Sequence, residues 1–228
     1  VDGDGSLEVI IGTTSRDESG GYSQDPVLVV FEGDGTIMWS RDVGAPINSA
    51  PAVGDIDGDG DVEIVVSLGG TMSDRDQDGG IAVYSHVGKK IWHFHTHDWG
   101  RYRDGYADGV FSSPALCDLE NDGNLEIAFG GWDQRIYLLD HQGNSLWDDP
   151  YGFGTGYYNA DTIWSSPACA DLDGNGHQEV IIGADITGDG VLPDGTHTKD
   201  GGFLYVFDEE GNILVRRYLT EAVYSSPA

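Results

Sequence analysis

The chain has 228 residues, enough for a single domain with a substantial buried core, and 39% of them are hydrophobic, too many for a disordered chain. Acidic residues number 40 against 11 Lys and Arg, so the formal net charge is −29. Nucleic acid and anionic membranes need a cationic surface, and we expect neither as a partner. No stretch approaches the about 20 apolar residues of a transmembrane helix, and no signal peptide is recognisable.

The first element in the chain is an acidic loop, which occurs four times, at residues 1–8, 55–63, 118–126 and 171–179. Each copy is followed by a β-branched or apolar run that predicts a strand, at 9–11, 64–66, 127–129 and 180–182. A second apolar strand and a Gly-containing turn come next, the strands at 27–31, 81–84, 136–139 and 203–207. A third strand carries Trp39, Trp92, Trp147 or, in the last copy, Val215. Small residues with one proline then lead into the next loop, at 49–52, 112–115, 165–168 and 225–228.

These units repeat every 53 to 63 residues, measured between the closing glutamates, which is the range of β-propeller blades. Four short antiparallel strands per unit, without an amphipathic helix, indicate an all-β fold. We therefore predict a β-propeller of four-stranded antiparallel blades, about four of them, in one segment spanning residues 1–228. The small-residue segment should form the innermost strand, and the tryptophans should fill the wide space between outer strands.

The two ends of the chain bear on how the propeller closes. The chain begins just after an inner strand and stops within one, at residues 225–228. Two arrangements fit this pattern: a segment of a larger propeller, which we favour, or closure of the last strand on the first blade. A four-blade ring lies at the small end of the known range.

The combined motif, Ser-Ser-Pro-Ala-x-x-Asp-Leu-Asp-Gly-(Asn/Asp)-Gly-x-x-Glu-(Ile/Val), resembles FG-GAP/VCBS-type repeats over essentially the whole chain. The resemblance implies calcium-loaded propeller blades of the kind found in bacterial surface proteins and integrin α-subunit heads. The strand and turn at 204–212 are also similar to quinoprotein-type propeller repeats, but the Asp-Gly loop favours the FG-GAP type.

The loop spacing, Asp-x-Asp-x-Asp-Gly-x-x-Glu with some Glu or Asn replacements, suits Ca²⁺, which takes six to eight oxygen ligands. Alternate acids of a curled loop point inward, the seventh residue offers a carbonyl, and the closing Glu can bind with both oxygens. We predict about three to four or more structural Ca²⁺ ions, because clustered carboxylates without a cation would repel one another. The alternative is a set of acidic turns without metal. The predicted ligands are Asp2, Asp4, Ser6, Glu8, Asp55, Asp57, Asp59, Asp61, Glu63, Asp118, Glu120, Asp122, Asn124, Glu126, Asp171, Asp173, Asn175, His177 and Glu179.

Three further groups could hold a metal. Two acidic stretches have the same alternation without the closing Glu, and each is either a calcium site or a solvated turn. The stretch 93–97 alternates His along a strand, so its imidazoles should share a face and could bind Zn²⁺, although an exposed edge strand is the simpler interpretation. The residues are Asp74, Asp76, Asp78, Asp185, Thr187, Asp189, His93, His95 and His97.

The connections between strands should carry the recognition surface. Extended loops at 16–20, 74–79 and 185–194 join equivalent strands and should gather on one face, where propellers usually bind partners. Two aromatic-rich connections suit sugar stacking or a protein interface, although the simpler interpretation is that they plug the face of the propeller. Their candidate ligand-binding residues are Trp99, Tyr102, Tyr106, Tyr157 and Tyr158.

The chain contains two cysteines, Cys117 and Cys169, on equivalent inner strands of neighbouring blades. The sequence allows a disulfide between them, but a buried free thiol is the commoner state of a core cysteine.

These patterns favour a non-catalytic, extracellular or cell-surface propeller that binds calcium and serves adhesion, ligand binding or assembly through a protein or glycan partner. No nucleophile motif, catalytic triad order or P-loop is recognisable. The alternatives are a calcium-dependent polysaccharide lyase or hydrolase that uses the propeller face, and a self-associating filament subunit.

Overall fold

The computed structural model describes residues 1–14, 26–69, 78–99, 105–149, 154–188 and 190–227. In these ranges the chain forms four antiparallel sheets and each sheet is one blade. Blade 1 contains β1 (Val9–Gly12), β2 (Val27–Phe31) and β3 (Ile37–Asp42). Blade 2 contains β4 (Ala52–Gly54), β5 (Glu63–Leu68), β6 (Gly80–Ser85) and β7 (Lys90–His95).

The other two blades repeat the same order of strands, each beginning at the inner edge of its sheet. Blade 3 contains β8 (Ala115–Cys117), β9 (Glu126–Gly130), β10 (Arg135–Leu139) and β11 (Tyr157–Tyr158). Blade 4 contains β12 (Ala168–Ala170), β13 (Glu179–Ile186), β14 (Gly201–Phe207) and β15 (Ile213–Leu219). No described segment forms a helix that is long and apolar enough to cross a membrane.

The hydrophobic core lies between blades. Strands β5 and β9 are buried on both faces, which explains why their sequences are continuous apolar runs without alternation. Ile64 and Val66 pack against blade 1, while Val65, which points to the other face, packs against blade 3. Each central blade is therefore held by apolar contacts on both sides.

The inner strands start three residues later than the sequence predicted. Each begins at the alanine that follows the proline, as in β8 and β12, and the serines before it are not in a strand. The reason is that these serines link neighbouring blades: the Ser113 amide donates to Ser166 Oγ at 2.9 Å, and the Ser166 amide donates to Ser226 Oγ at 3.3 Å. Their hydrogen bonds therefore run around the axis instead of into a sheet.

The predicted tryptophans occupy the space between outer strands, as expected. Val30 pairs with Trp39 and Val83 pairs with Trp92, and the same register pairs Val206 with Val215 in blade 4. Blade 3 departs from the pattern, because its outer strand β11 lies at 157–158 and Trp147 precedes it outside any strand.

The antiparallel order places connections at two ends of each blade. The acidic loops join the first and second strands, and the short turns join the third and fourth, so both lie at one end, called here the acidic-loop face. The connections between second and third strands, and those that lead into the next inner strand, lie at the other end, the long-loop face. The described strand ends support the prediction that the extended loops share a face, although residues 16–20, 74–77 and 189 lie outside the described ranges.

Candidate functional site

Three of the acidic loops, those that begin with Asp55, Asp118 and Asp171, have one common backbone design. The first Asp of a loop accepts main-chain N–H groups with both carboxylate oxygens: Asp55 accepts from Asp59 at 3.1 Å and from Gly60 at 2.9 Å. Asp118 and Asp171 accept from the equivalent amides of their own loops. The repeated sequence spacing therefore produces a repeated loop conformation.

The closing glutamate of each loop is the buried member of the set. Glu63, Glu126 and Glu179 are the first residues of β5, β9 and β13, one residue before the predicted apolar runs, and each is at most 7% exposed. Their Oε2 atoms accept the main-chain N–H seven residues earlier, at 3.1, 2.9 and 2.7 Å. One accepted hydrogen bond leaves Oε2 a second lone pair, so coordination of a metal through both oxygens of each glutamate stays a prediction.

Two of the loops bring three carboxylates together. In the described residues, one oxygen from each of Asp55, Asp57 and Asp59 lies within 4.8 Å of the others, and Asp2, Asp4 and Glu8 form a second such group. Glu8 Oε1 is buried and has no hydrogen-bond partner. An unpartnered buried carboxylate oxygen beside two exposed aspartates is a donor set that fits a hard cation such as Ca²⁺.

Four other predicted ligands share one main-chain contact. Ser6, Asp61, Asn124 and His177 occupy the seventh position, and each of their amides donates to the fifth-position side chain, two residues earlier, at 2.7 or 2.8 Å. Glu120 and Asp173 are exposed at the third position. Asn124 Nδ2 also donates to Asp122 Oδ2 at 3.1 Å.

Burial opposes ionisation at the base of the loops. Desolvation raises the pKa of Glu63, and the negative charges of Asp57, Asp59 and Asp55 raise it further. Desolvation likewise raises the pKa of Glu126, with a contribution from Asp122. A bound cation would favour the ionised form of both glutamates.

The predicted histidine cluster forms only in part. His93 and His95 lie on the same face of β7 with ring centroids 4.0 Å apart, and His95 Nδ1 is 2.9 Å from Asp78 Oδ2. His97 lies beyond the strand, where its Nε2 is 3.0 Å from Thr155 Oγ1. The side chains that the structure brings together are therefore His93, His95 and Asp78, whereas Asp74 and Asp76 lie outside the described residues.

The second of the two additional acidic stretches begins in a strand and continues into a loop. Asp185 lies near the end of β13, and the Thr187 carbonyl accepts the Thr198 hydroxyl at 2.6 Å. Asp189 lies outside the described residues. Calcium binding by this stretch and zinc binding by the histidines stay predictions.

The predicted aromatic connections pack largely against the protein itself. Trp99 Nε1 donates to Gln134 Oε1 at 3.2 Å, and the ring meets Tyr158 edge-on at 5.8 Å. The buried Arg135 lies over both rings, with its Cζ 5.5 and 5.8 Å from their centroids. Tyr157 is buried against Tyr205 of blade 4. Tyr106 is partly buried, and Tyr102 lies outside the described residues.

An exposed aromatic cluster on the long-loop face was not predicted. Phe111, Trp164 and Tyr224 each directly precede a Ser-Ser-Pro segment, and Trp132 lies in the turn between β9 and β10. Neighbouring ring centroids are 4.7 to 5.9 Å apart. The signal in the sequence was the position before each Ser-Ser-Pro segment, which is aromatic in three of the four repeats and Asn48 in the other.

The two cysteines form a disulfide. Cys117 in β8 and Cys169 in β12 are bonded, with a Cα–Cα distance of 5.9 Å. The free-thiol state favoured from the sequence is therefore wrong, because the inner strands of neighbouring blades approach closely enough at the axis to join equivalent positions.

Comparison with known proteins agrees with this architecture. The profile of the FG-GAP-like repeat family matches residues 1–66 and 118–182. The C-terminal domain of Pseudomonas aeruginosa PilY1 is similar in structure, with a TM-score of 0.53 and 15% identity over 97% of this chain and 51% of that domain. The quinohemoprotein alcohol dehydrogenase ADHIIG of Pseudomonas putida HK5 is similar with a TM-score of 0.57 and 18% identity over 93% of this chain and 33% of that one.

At these identities the likeness establishes the fold alone. The chain spans about half the length of the PilY1 domain and about a third of the dehydrogenase. No match is found among curated proteins.

Proposed function

This chain belongs to the FG-GAP-like repeat family, and we propose that it is an extracellular, non-catalytic propeller that calcium stabilises on one face and that binds a ligand on the other. The observation that carries the calcium part is the pair of three-carboxylate groups, one of which includes the unpartnered buried oxygen of Glu8. The same backbone design in the other loops supports the same role there.

The chemistry of calcium in these loops is structural. When bound, the ion supplies positive charge that offsets the repulsion among the loop carboxylates. The residues that would hold it in the second loop are Asp55, Asp57, Asp59 and Glu63, together with the carbonyl of Asp61. Because the loops bind the ion only when folded, each site adds about 2.7 kcal/mol at a calcium concentration 100 times its dissociation constant.

Two observations support an extracellular location. The Cys117–Cys169 disulfide is a bond that persists in oxidising compartments. Millimolar calcium outside the cell suits loops of modest affinity. The rigid strands also carry the long connections on one face, which is where propellers usually bind partners.

The test is to measure metal content and thermal stability on protein purified in calcium and then stripped with chelator. We expect three or more calcium ions per chain and a large fall in melting temperature after stripping, restored by calcium at concentrations where magnesium has little effect. A melting curve unchanged by excess chelator, with no calcium in the purified protein, would contradict the proposal.

A further inference from the structure

The long-loop face carries two large aromatic rings that folding leaves in contact with water. Tyr224 is 61% exposed and Trp164 is 36% exposed, and the two rings meet edge-on with centroids 5.9 Å apart. They line an open recess of 420 Å³. Exposed aromatic rings that share a recess are typical of binding surfaces, because their burial by a ligand releases a large apolar area.

The rings are held in place from behind. Trp164 lies 4.8 Å from Trp132 and 5.4 Å from Phe111, centroid to centroid. Its Nε1 donates to Thr162 Oγ1 at 3.1 Å. A surface of this kind is preorganised, so a ligand loses little free energy in ordering it.

Two acidic residues act electrostatically on Tyr224. The negative charges of Asp185 and Asp161 both raise the pKa of its hydroxyl. The two acids also lie close enough to each other for their repulsion, together with burial, to raise the pKa of Asp185. Asp200 adds a third negative charge near Asp185.

The side chain of Asn159 holds the main chain of these two acids side by side. Asn159 Nδ2 donates to the Asp185 carbonyl at 2.6 Å and to the Asp161 carbonyl at 3.3 Å. The Thr162 amide donates to Asp161 Oδ1 at 2.7 Å. The repulsion between the two carboxylates is therefore part of the folded structure and would be relieved by a cation.

We propose that Trp164 and Tyr224, with Asp161 and Asp185, form a binding site for an organic cation, meaning an alkylammonium or guanidinium group. Aromatic faces attract such cations, and adjacent carboxylates add a charge-assisted contact. A small metal ion would not use the rings, and a neutral sugar would leave the acids without a charged partner. The proposal takes the ligand-binding role above as its premise but does not require that calcium be bound.

The cation could belong to a free quaternary amine or to a Lys or Arg side chain of a protein. The probes are therefore choline, N-acetyl-lysine methylamide and N-acetyl-arginine methylamide, each titrated against the chain by calorimetry and tryptophan fluorescence. The neutral isostere 3,3-dimethylbutanol and methyl β-glucoside serve as uncharged probes. Tighter binding of choline identifies a free amine as the source, and tighter binding of an amino-acid probe identifies a protein side chain.

We expect at least one cation to bind about tenfold more tightly than dimethylbutanol, which corresponds to the upper part of the cation–π range. Trp164→Leu and Tyr224→Leu should each weaken that binding at least about tenfold, and Asp185→Asn about threefold. Tyr218→Leu, at another exposed tyrosine of blade 4, and Glu210→Gln, at an exposed acid, should leave the affinity unchanged.

Equal binding of dimethylbutanol and choline, or binding of the glucoside alone, would overturn the proposal. Binding that Trp164→Leu and Tyr224→Leu leave intact would also overturn it. Melting temperature and calcium content are measured on each variant, so that loss of the fold or of calcium is separated from loss of the cation site.

Discussion

The indole nitrogen of Trp92 donates a hydrogen bond of 3.0 Å to the main-chain carbonyl of His141, which lies in the turn of the next blade. The ring lies over Gly143 of that turn, where an added Cβ would come within 2.9 Å of Trp92 Cε3. Trp39 makes the same contacts with the turn of blade 2, over Gly88, and Trp147 makes them with the turn of blade 4, over Gly211. In each described pair of neighbouring blades, a tryptophan ring of one blade thus packs on a turn glycine of the next blade and joins the two at their outer edge.

This contact predicts that alanine is tolerated differently at two glycines with the same backbone conformation. Gly143 and Gly35 have φ of +86° and +87°, but a Cβ at Gly35 would meet no atom within 4 Å. Both changes to alanine should cost about 1–2 kcal/mol for the left-handed conformation. Gly143→Ala should cost about 1–3 kcal/mol more, because its methyl group collides with Trp92. The measurement is the free energy of unfolding in urea.

The double variant Trp92→Leu/Gly143→Ala provides the control. Once the ring is removed, the additional cost of Gly143→Ala should largely disappear, since the two residues are coupled through one contact. Equal costs for Gly143→Ala and Gly35→Ala in the otherwise unchanged chain would contradict the ring-on-glycine interpretation.

The local pattern of the repeat predicted most of the strands. The runs that begin at Ile64, Ile127 and Val180 are central strands, and each is preceded by the glutamate that starts the strand. The register also places Val215 opposite Val206, at the position where blades 1 and 2 have tryptophan. These features depend on residues within one unit, and four copies of that unit repeat the same local signal.

Contacts between units were less accessible to sequence reasoning. The disulfide depends on the distance between equivalent strands of different blades, and no residue near Cys117 or Cys169 signals it. The aromatic cluster combines a position from three repeats with Trp132, which comes from a turn that only blade 3 has. Because propeller blades meet face to face, such neighbours are far apart in the chain, as in the disulfide, whose cysteines are 52 residues apart.

Asp133 predicts a pH dependence of stability. The side chain is fully buried, and this burial raises its pKa to about 6, despite hydrogen bonds from the Tyr137 hydroxyl and the His97 amide. The folded protein therefore keeps a proton on Asp133 at pH values where the unfolded chain has lost it. Stability should fall by roughly 3 kcal/mol as pH rises from about 4 to about 6, because one pKa unit corresponds to about 1.4 kcal/mol.

Asp133→Asn isolates this effect, since the amide oxygen can still accept both hydrogen bonds. The difference in free energy of unfolding between Asp133→Asn and the unaltered chain should change by roughly 3 kcal/mol between about pH 4 and about pH 6. Above about pH 7 this difference should be constant. Glu210→Gln removes one exposed carboxylate and should not reproduce the change. Parallel stability curves for Asp133→Asn and the unaltered chain would exclude Asp133 as the titrating group.

The disulfide should contribute substantially to stability. Cys117 and Cys169 are 52 residues apart, and closing a loop of that length restricts the unfolded chain by roughly 4 kcal/mol. The double variant Cys117→Ala/Cys169→Ala and the chemically reduced protein should both unfold at lower denaturant concentration, by similar amounts. Two titratable thiols in protein denatured without reductant would show that the bond is absent.

The acidic loops allow the folding role of a carboxylate to be separated from its metal-binding role. Asp55 accepts two main-chain N–H groups with its two oxygens, whereas Asp57 accepts only one among the described contacts, from Asp59 at 3.2 Å. Asn at position 57 keeps an acceptor for that bond, but Asn at position 55 replaces one of two accepting oxygens with a donor. In chelator, Asp55→Asn should therefore be about 1 kcal/mol less stable than Asp57→Asn, since both remove one carboxylate of the group and only Asp55→Asn loses a hydrogen bond.

Asp57→Asn should not lose stability without calcium. It removes one of three mutually repelling carboxylates and keeps the loop hydrogen bond, so its melting temperature in chelator should equal or exceed that of the unaltered chain. In calcium, both Asp55→Asn and Asp57→Asn should gain less stability than the unaltered chain, because each has lost a charged ligand. Thermal unfolding with and without calcium measures both effects. If both variants kept the full response to calcium, the ion would not be held by this loop.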